Sequence, residues 1–188
     1  MRQRLAGKVL VLKMEILNIV DTETSQSVIE IIFAAALCYG FYSDVRRLQI
    51  PNAVSLIVLA LFFFNYWLVP SGTLTQHLLA GGIAFALTFG LYVASAMGAG
   101  DVKLISALML WGGVKDGPAF LLIMTLIGGL FAGLLLAVRK SMAVWPSIHS
   151  YIPSRRLKAW ARRGIFPYGV AICIAGLILM PSFFAAAR

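Results

Sequence analysis

The sequence is poor in acidic residues, cysteines and histidines, which narrows the chemistry open to it. Its 188 residues include seven Asp and Glu, two Cys and two His. The cysteines, Cys38 and Cys173, form no CxxC pair, and the chain has no HExxH motif. We therefore expect no disulfide framework, metal or other cofactor. The chain also has no GxSxG motif, which disfavours a serine hydrolase of the nucleophile-elbow type.

Long polar stretches are also missing. Hydrophobic residues make up 61% of the chain and charged residues 12%, with a mean hydropathy of +0.90. Such a composition is typical of an integral membrane protein, in which a helix of ~20 apolar residues crosses the bilayer core. We predict an all-α polytopic membrane protein with about six transmembrane helices, the fourth of them short. The apolar runs lie at about 28–43, 53–69, 74–97, 104–114, 117–138 and 165–187.

Basic residues are frequent, and their distribution predicts the orientation of the chain. The net charge is +9. Lys and Arg in short loops favour the cytoplasmic side, so the two connections that carry most of them are predicted to be cytoplasmic. The aromatic and basic mixture of the second connection favours contact with anionic lipid headgroups over nucleic acid, and no nucleic-acid partner is predicted. The residues concerned are Arg46 and Arg47 in the first connection, and Arg139, Lys140, Arg155, Arg156, Lys158, Arg162 and Arg163 in the second.

The N-terminal residues do not follow this charge pattern. Residues 1–25 contain four basic residues but would lie outside the cytoplasm if the chain has six spans. They are interpreted either as an amphipathic segment at the membrane surface or as a non-native extension that precedes a true start at Met14. The predicted membrane-embedded domain covers residues 26–188.

Two aspartates lie at the ends of apolar runs. Asp44 ends the first run, and Asp101 follows the third, so two membrane crossings separate them and both belong on one face. Each has a simple structural explanation. Asp44 could pair with a neighbouring arginine, and Asp101 could be the N-cap of a helix that begins near Val102. Two carboxylates together on one face favour a functional role.

Paired carboxylates can activate water. Like charges a few ångströms apart do not both ionise readily, so one carboxyl keeps its proton while the other acts as a base. The ionised group would take a proton from water, and the protonated one would donate a hydrogen bond to a peptide carbonyl. Gly98 and Gly100 beside Asp101 would allow a tight turn and the close approach of a substrate strand.

Three segments in this order resemble the type IV prepilin peptidases, which are GxGD aspartic membrane proteases. They are residues 44–52 (DVRRLQIPN), 98–104 (GAGDVKL) and 166–172 (FPYGVAI). The resemblance implies that Asp44 and Asp101 are the catalytic pair. It also implies cleavage of basic leader peptides from prepilins or pseudopilins at the cytoplasmic face of the bacterial inner membrane.

The small size of the chain refines this expectation. Larger members of the family carry a cytoplasmic domain with paired CxxC motifs that methylates the new N-terminus, and the sequence lacks those cysteines. Methyltransferase activity is therefore not expected. The compact form is similar to the small peptidases of tight-adherence (Flp) pilus systems.

Several neighbouring residues are candidates for shaping the site. Lys103 could tune the aspartates or anchor to a lipid headgroup. Asn52, after Pro51, is expected to help start the second helix as a capping residue. For the segment Pro167, Tyr168 and Gly169, lining the site and simply starting the last helix remain equally open.

Two other functions remain open from the residues alone. A small transporter or assembly factor could use intramembrane carboxylates, but it would favour acidic groups deeper in the bilayer. A presenilin-like GxGD protease would share the aspartates but does not expect the Ile50–Asn52 segment.

Overall fold

The computed structural model describes residues 2–69, 73–144, 160 and 167–185, with side chains described from residue 23 onward except at position 143. Most of the predicted cytoplasmic loop between the fifth and sixth runs lies outside the described residues. In the described part all regular structure is helical, which confirms the all-α prediction. The helices are α1 (Arg2–Arg47), α2 (Asn52–Leu68), α3 (Leu74–Val93), α4 (Ala99–Val144) and α5 (Tyr168–Ala185).

Helix α4 is broken at Gly113. Its backbone there has φ 56° and ψ −158°, a conformation open essentially to glycine alone. We name the two parts α4a (residues 99–112) and α4b (residues 114–144). The break falls near the end of the fourth apolar run of the sequence, at the point where two glycines adjoin.

The helices are suited to a bilayer. Four stretches are long and apolar enough to cross it, and α2 is a shorter apolar helix. Large apolar side chains also face outward, including Leu130 at 79% and Trp67 at 76% exposure, as lipid contact requires. The chain is therefore a multi-pass membrane protein. The count of six spans stays a prediction, because it treats α4a and α4b as separate crossings.

The short helix α4a lies in the core of the protein. Leu104, Ile105 and Leu108 are fully buried, and Trp111 packs edge-on to Phe33 with ring centroids 5.0 Å apart. The Trp111 indole N–H donates to the Val58 carbonyl oxygen at 3.0 Å, so its one polar group is satisfied. α4a thus holds α1, α2 and α5 together despite its length.

Helix α3 is hydrogen bonded to the end of α4a that lies far from Asp101. The His77 ring Nδ1 lies 2.7 Å from the Leu110 carbonyl oxygen. A carbonyl oxygen can only accept, so Nδ1 is the donor in this hydrogen bond. This contact joins α3 to the last turn of α4a, next to the break at Gly113.

The N-terminal region forms part of α1. This helix is continuous through residue 25, so the proposed boundary between an extension and the membrane domain does not coincide with a helix end. The division at that residue stays a prediction.

Candidate active site

A cavity of about 810 Å³ opens where α1 ends and where α2, α4 and α5 begin. The structure brings Asp44 and Asp101 together in its lining. Of the other predicted site residues, Gly98, Gly100 and Tyr168 also line it, whereas Lys103, Pro167 and Gly169 contact or adjoin the lining residues from behind. The remaining lining residues are Ser43, Arg47, Leu48, Gln49, Ile50, Pro51, Asn52, Ser95, Ala96, Met97 and Ala99.

The Asp44 side chain is held by the first turn of α5. It is only 4% exposed, and its Oδ2 accepts a hydrogen bond from the Val170 backbone N–H at 3.0 Å. The Gly169 backbone N–H also hydrogen bonds to this carboxylate. Amides at a helix start have no partner within the helix, and the positive end of the helix dipole favours a negative charge there.

Gly169 is required for this approach. A Cβ at this position would lie 2.7 Å from Asp44 Oδ2 and 2.7 Å from Ile50 Cδ1, too close for either atom to remain in place. For residues 167–169 the sequence left open whether they line the site or simply start the last helix. The segment does both, since α5 begins at Tyr168 and Gly169 makes room for Asp44.

Asp101 is held by its own helix. α4 begins at Ala99, so Gly98 occupies the N-cap position and Asp101 is the third helical residue. Its carboxylate accepts a hydrogen bond from the Gly98 backbone N–H, as the third residue of a capping box does. Asp101 is therefore not the N-cap, which was the structural alternative to a functional role for this residue. Asp101 is less buried than Asp44, and the charges of the two carboxylates interact.

The turn between α1 and α2 forms one wall of the cavity. Leu48 has φ 55°, a left-handed conformation that is strained for a leucine. The Ser43 hydroxyl donates to the Gln49 carbonyl oxygen at 2.9 Å and ties the turn to the last turns of α1. A Cβ on Gly100 would lie 3.0 Å from the Ile50 carbonyl oxygen, so Gly100 makes room for this turn.

Lys103 contacts the start of α2. Its Nζ donates to Asn52 Oδ1 at 2.9 Å, which joins α4 to α2. Asn52 is the first residue of α2, and the preceding Pro51 provides no side-chain cap. The expected capping role of Asn52 is wrong, because its side-chain oxygen accepts from Lys103. Neither role expected for Lys103 included this contact, which joins residues 51 positions apart.

The turn between α3 and α4 forms the facing wall. Ser95 has φ 59°, and the Ala96 N–H donates to the Leu91 carbonyl oxygen at 2.9 Å, which closes the end of α3. Residues 94–96 and Gly98 are exposed. This wall carries a second non-glycine residue in the left-handed conformation.

Sequence reasoning missed two residues of the site. Ser43 ties down the α1–α2 turn, and Ile50 packs against Gly100 and Gly169. Ile50 had a signal in the sequence, since it belongs to the segment that carries the family resemblance, whereas nothing in the sequence distinguishes Ser43. Among the described residues, no three His, Cys, Asp or Glu side chains are arranged to hold a metal ion.

Comparison with known proteins gives one match. The family model described as the type IV leader peptidase family matches residues 31–133, which is more than half of the chain. No curated protein and no solved structure gives a significant match. The matched range contains both aspartates, while α5, whose amides hold Asp44, lies beyond it.

Proposed function

The chain belongs to the type IV leader peptidase family, and on this basis we propose that it is an aspartic endopeptidase that cleaves basic leader peptides from prepilins. Asp44 and Asp101 are its catalytic pair. One observation carries the proposal: the two carboxylates line the same cavity, at the end of the bundle where three helices begin.

The proposed reaction needs one proton shared by the pair. The ionised carboxylate takes a proton from a water molecule, and the oxygen of that water attacks the peptide carbonyl carbon. The protonated carboxyl donates a hydrogen bond to the carbonyl oxygen as negative charge develops there. Collapse of the tetrahedral intermediate breaks the C–N bond, and the leaving amine receives a proton from the pair. The titration belongs to the pair, so the two roles are not assigned to individual residues.

Charge supports a cytoplasmic position for the site. Arg46 and Arg47 lie in the last turn of α1, at the cavity, and Lys103 lies nearby on α4. Basic residues next to membrane helices favour the cytoplasmic side. A basic leader would approach the carboxylates there while the apolar helix of the prepilin stays in the bilayer. Within this family, Flp-type prepilins are the proposed substrates.

Cleavage by purified protein tests the proposal. A cognate prepilin incubated with the protein in liposomes should be shortened by its leader. Asp44→Asn and Asp101→Asn should each lower the rate by at least about 10³-fold, because neither variant retains an acid and a base together. Asp116→Asn is the matched control, since Asp116 lines a separate cavity at the other end of the bundle. Full cleavage by either site variant would contradict the assignment of the pair.

A further inference from the structure

The α1–α2 turn packs between the two segments that hold the aspartates. Ile50 is only 9% exposed and faces Gly100, which directly precedes Asp101, and Gly169, which binds Asp44. Ile50 occupies the space that a side chain would need at either glycine. Its nearest atoms lie 3.0 Å from the ideal Cβ position of Gly100 and 2.7 Å from that of Gly169. Ile50 therefore lies between the segments that hold the two carboxylates.

The turn needs external support to keep Ile50 in place. Leu48 is in a left-handed conformation, which a non-glycine residue retains only when its surroundings enforce it. Two side chains provide such support. Ser43 binds the Gln49 carbonyl oxygen from the α1 side, and Lys103 binds Asn52 from the α4 side.

We propose that Lys103 is a positioning residue that acts through Asn52. Their hydrogen bond holds the α1–α2 turn against the first turn of α4, so that Ile50 sets the spacing of Asp44 and Asp101. The effect on catalysis rests on the proposed function. The geometric part does not, because the contacts exist whatever the reaction is.

The place of Lys103 on α4 and its charged donor group explain why a lysine suits this position. Lys103 lies two residues beyond Asp101 on the same helix. A contact that holds Lys103 against α2 therefore also holds the backbone that carries Asp101. A charged donor to an amide oxygen is stronger than a neutral pair, but both side chains are exposed here, so water weakens the bond and its main effect is to fix the contact between α4 and α2. The alternative roles, an anchor to lipid or an electrostatic influence on the carboxylates, do not require Asn52.

A double-mutant cycle separates these roles. Lys103→Met and Asn52→Ala should each lower kcat for leader cleavage by roughly tenfold to a hundredfold with KM almost unchanged, because misplacement of a catalytic group by about 1 Å costs about this much. The double variant should be no slower than the slower single variant. Lys103→Arg, which retains a charged donor, should restore most of the rate. Lys115→Met, at the far end of the bundle, is the control for loss of a lysine charge and should cleave normally.

Asn52→Ala is the decisive variant because it leaves the charge of Lys103 in place. Normal cleavage by Asn52→Ala, or losses that multiply in the double variant, would overturn the proposal and favour a direct role of the lysine charge.

Amide hydrogen exchange provides a measurement that needs no substrate. Lys103→Met and Asn52→Ala should speed exchange at the amides of residues 48, 49, 50 and 52 to the same extent, with Lys115→Met like the unmodified protein. Unchanged exchange in either site variant would overturn the positioning role even if cleavage is slower. Failure of the unmodified protein to cleave any prepilin would instead refute the proposed function, and exchange would still decide the positioning role.

Discussion

The two ends of the helix bundle are built differently. At one end the cavity has a volume of about 810 Å³, and at the other a cavity of about 230 Å³ adjoins the break in α4. The large cavity is lined by helix starts, two carboxylates and two turns with left-handed non-glycine residues. At the far end the left-handed residue is a glycine, Gly113, and the His77 ring hydrogen bonds to the Leu110 carbonyl oxygen beside the break.

If the proposed function holds, this difference separates an end that serves activity from an end that serves stability. Strained backbone persists where the surroundings enforce it, and it is concentrated at functional sites. The far end avoids that strain by placing glycine where the left-handed conformation is needed. Substitutions at the far end should therefore lower stability, whereas substitutions near the carboxylates should mainly lower activity.

Gly113→Ala tests the far end and should have the largest effect. The backbone conformation at this position suits glycine alone, and an added Cβ would lie 3.1 Å from His77 Nδ1. We expect the free energy of unfolding to fall by about 3 kcal/mol. Reversible unfolding in mixed micelles would measure it, and the fraction that remains folded should cleave at a normal rate.

The control for this change is Gly133→Ala. A Cβ at Gly133 would meet nothing within 4 Å, so alanine should be neutral or slightly stabilising there. Equal stability of the two variants would mean that α4 has no break at Gly113.

Gly169→Ala tests the site end. The new methyl group would lie 2.7 Å from Asp44 Oδ2, so the carboxylate must leave the amides of α5. We expect kcat/KM to fall by about 100-fold, as misplacement of a catalytic group does, with a smaller change in stability. Leader cleavage and unfolding measured on the same preparation would separate the two effects.

Gly129→Ala is the matched control, because its Cβ would also meet nothing within 4 Å. A Gly169→Ala protein that cleaves as fast as this control would show that the α5 amides do not position Asp44. If Gly169→Ala lowers the free energy of unfolding enough to account for its loss of activity, the site end would not differ from the far end in this respect.

The sequence predicts the helices better than the contacts between them. Apolar runs and span counting predict an all-helical fold and place Asp44 and Asp101 on one side, because both depend only on local composition and chain order. The hydrogen bond between Asn52 and Lys103 joins residues 51 positions apart, which no local pattern reveals. The same limit explains why Asn52 was taken for a cap. Its side-chain oxygen has a partner on another helix.

Helix ends were predicted less well for a related reason. An aspartate before an apolar run is a common N-cap, and the sequence leaves this role open for Asp101 beside a functional one. The structure starts α4 three residues earlier, at Ala99, because Gly98 occupies the cap position while Asp101 reaches back to its amide. Composition at a helix start restricts the choice to a few residues, and contacts with other segments, such as the close approach of Ile50 to Gly100, are not visible in the local sequence.

Ser95→Gly tests whether the site end retains strain, and it should have the smallest effect. Ser95 has φ 59°, which disfavours a side chain, so glycine should raise the free energy of unfolding by roughly 0.5–1 kcal/mol after its own entropic cost. The neighbouring Ala94 is the control, because its φ of −73° gives glycine no strain to relieve. Ala94→Gly should therefore lower stability by about 0.5–1 kcal/mol. Opposite signs at adjacent positions in the same unfolding experiment would locate strain in the turn facing Asp101. A change in the free energy of unfolding of the same sign for both variants would mean that this turn carries no strain. The two ends of the bundle would then differ in cavity size but not in backbone strain at this turn.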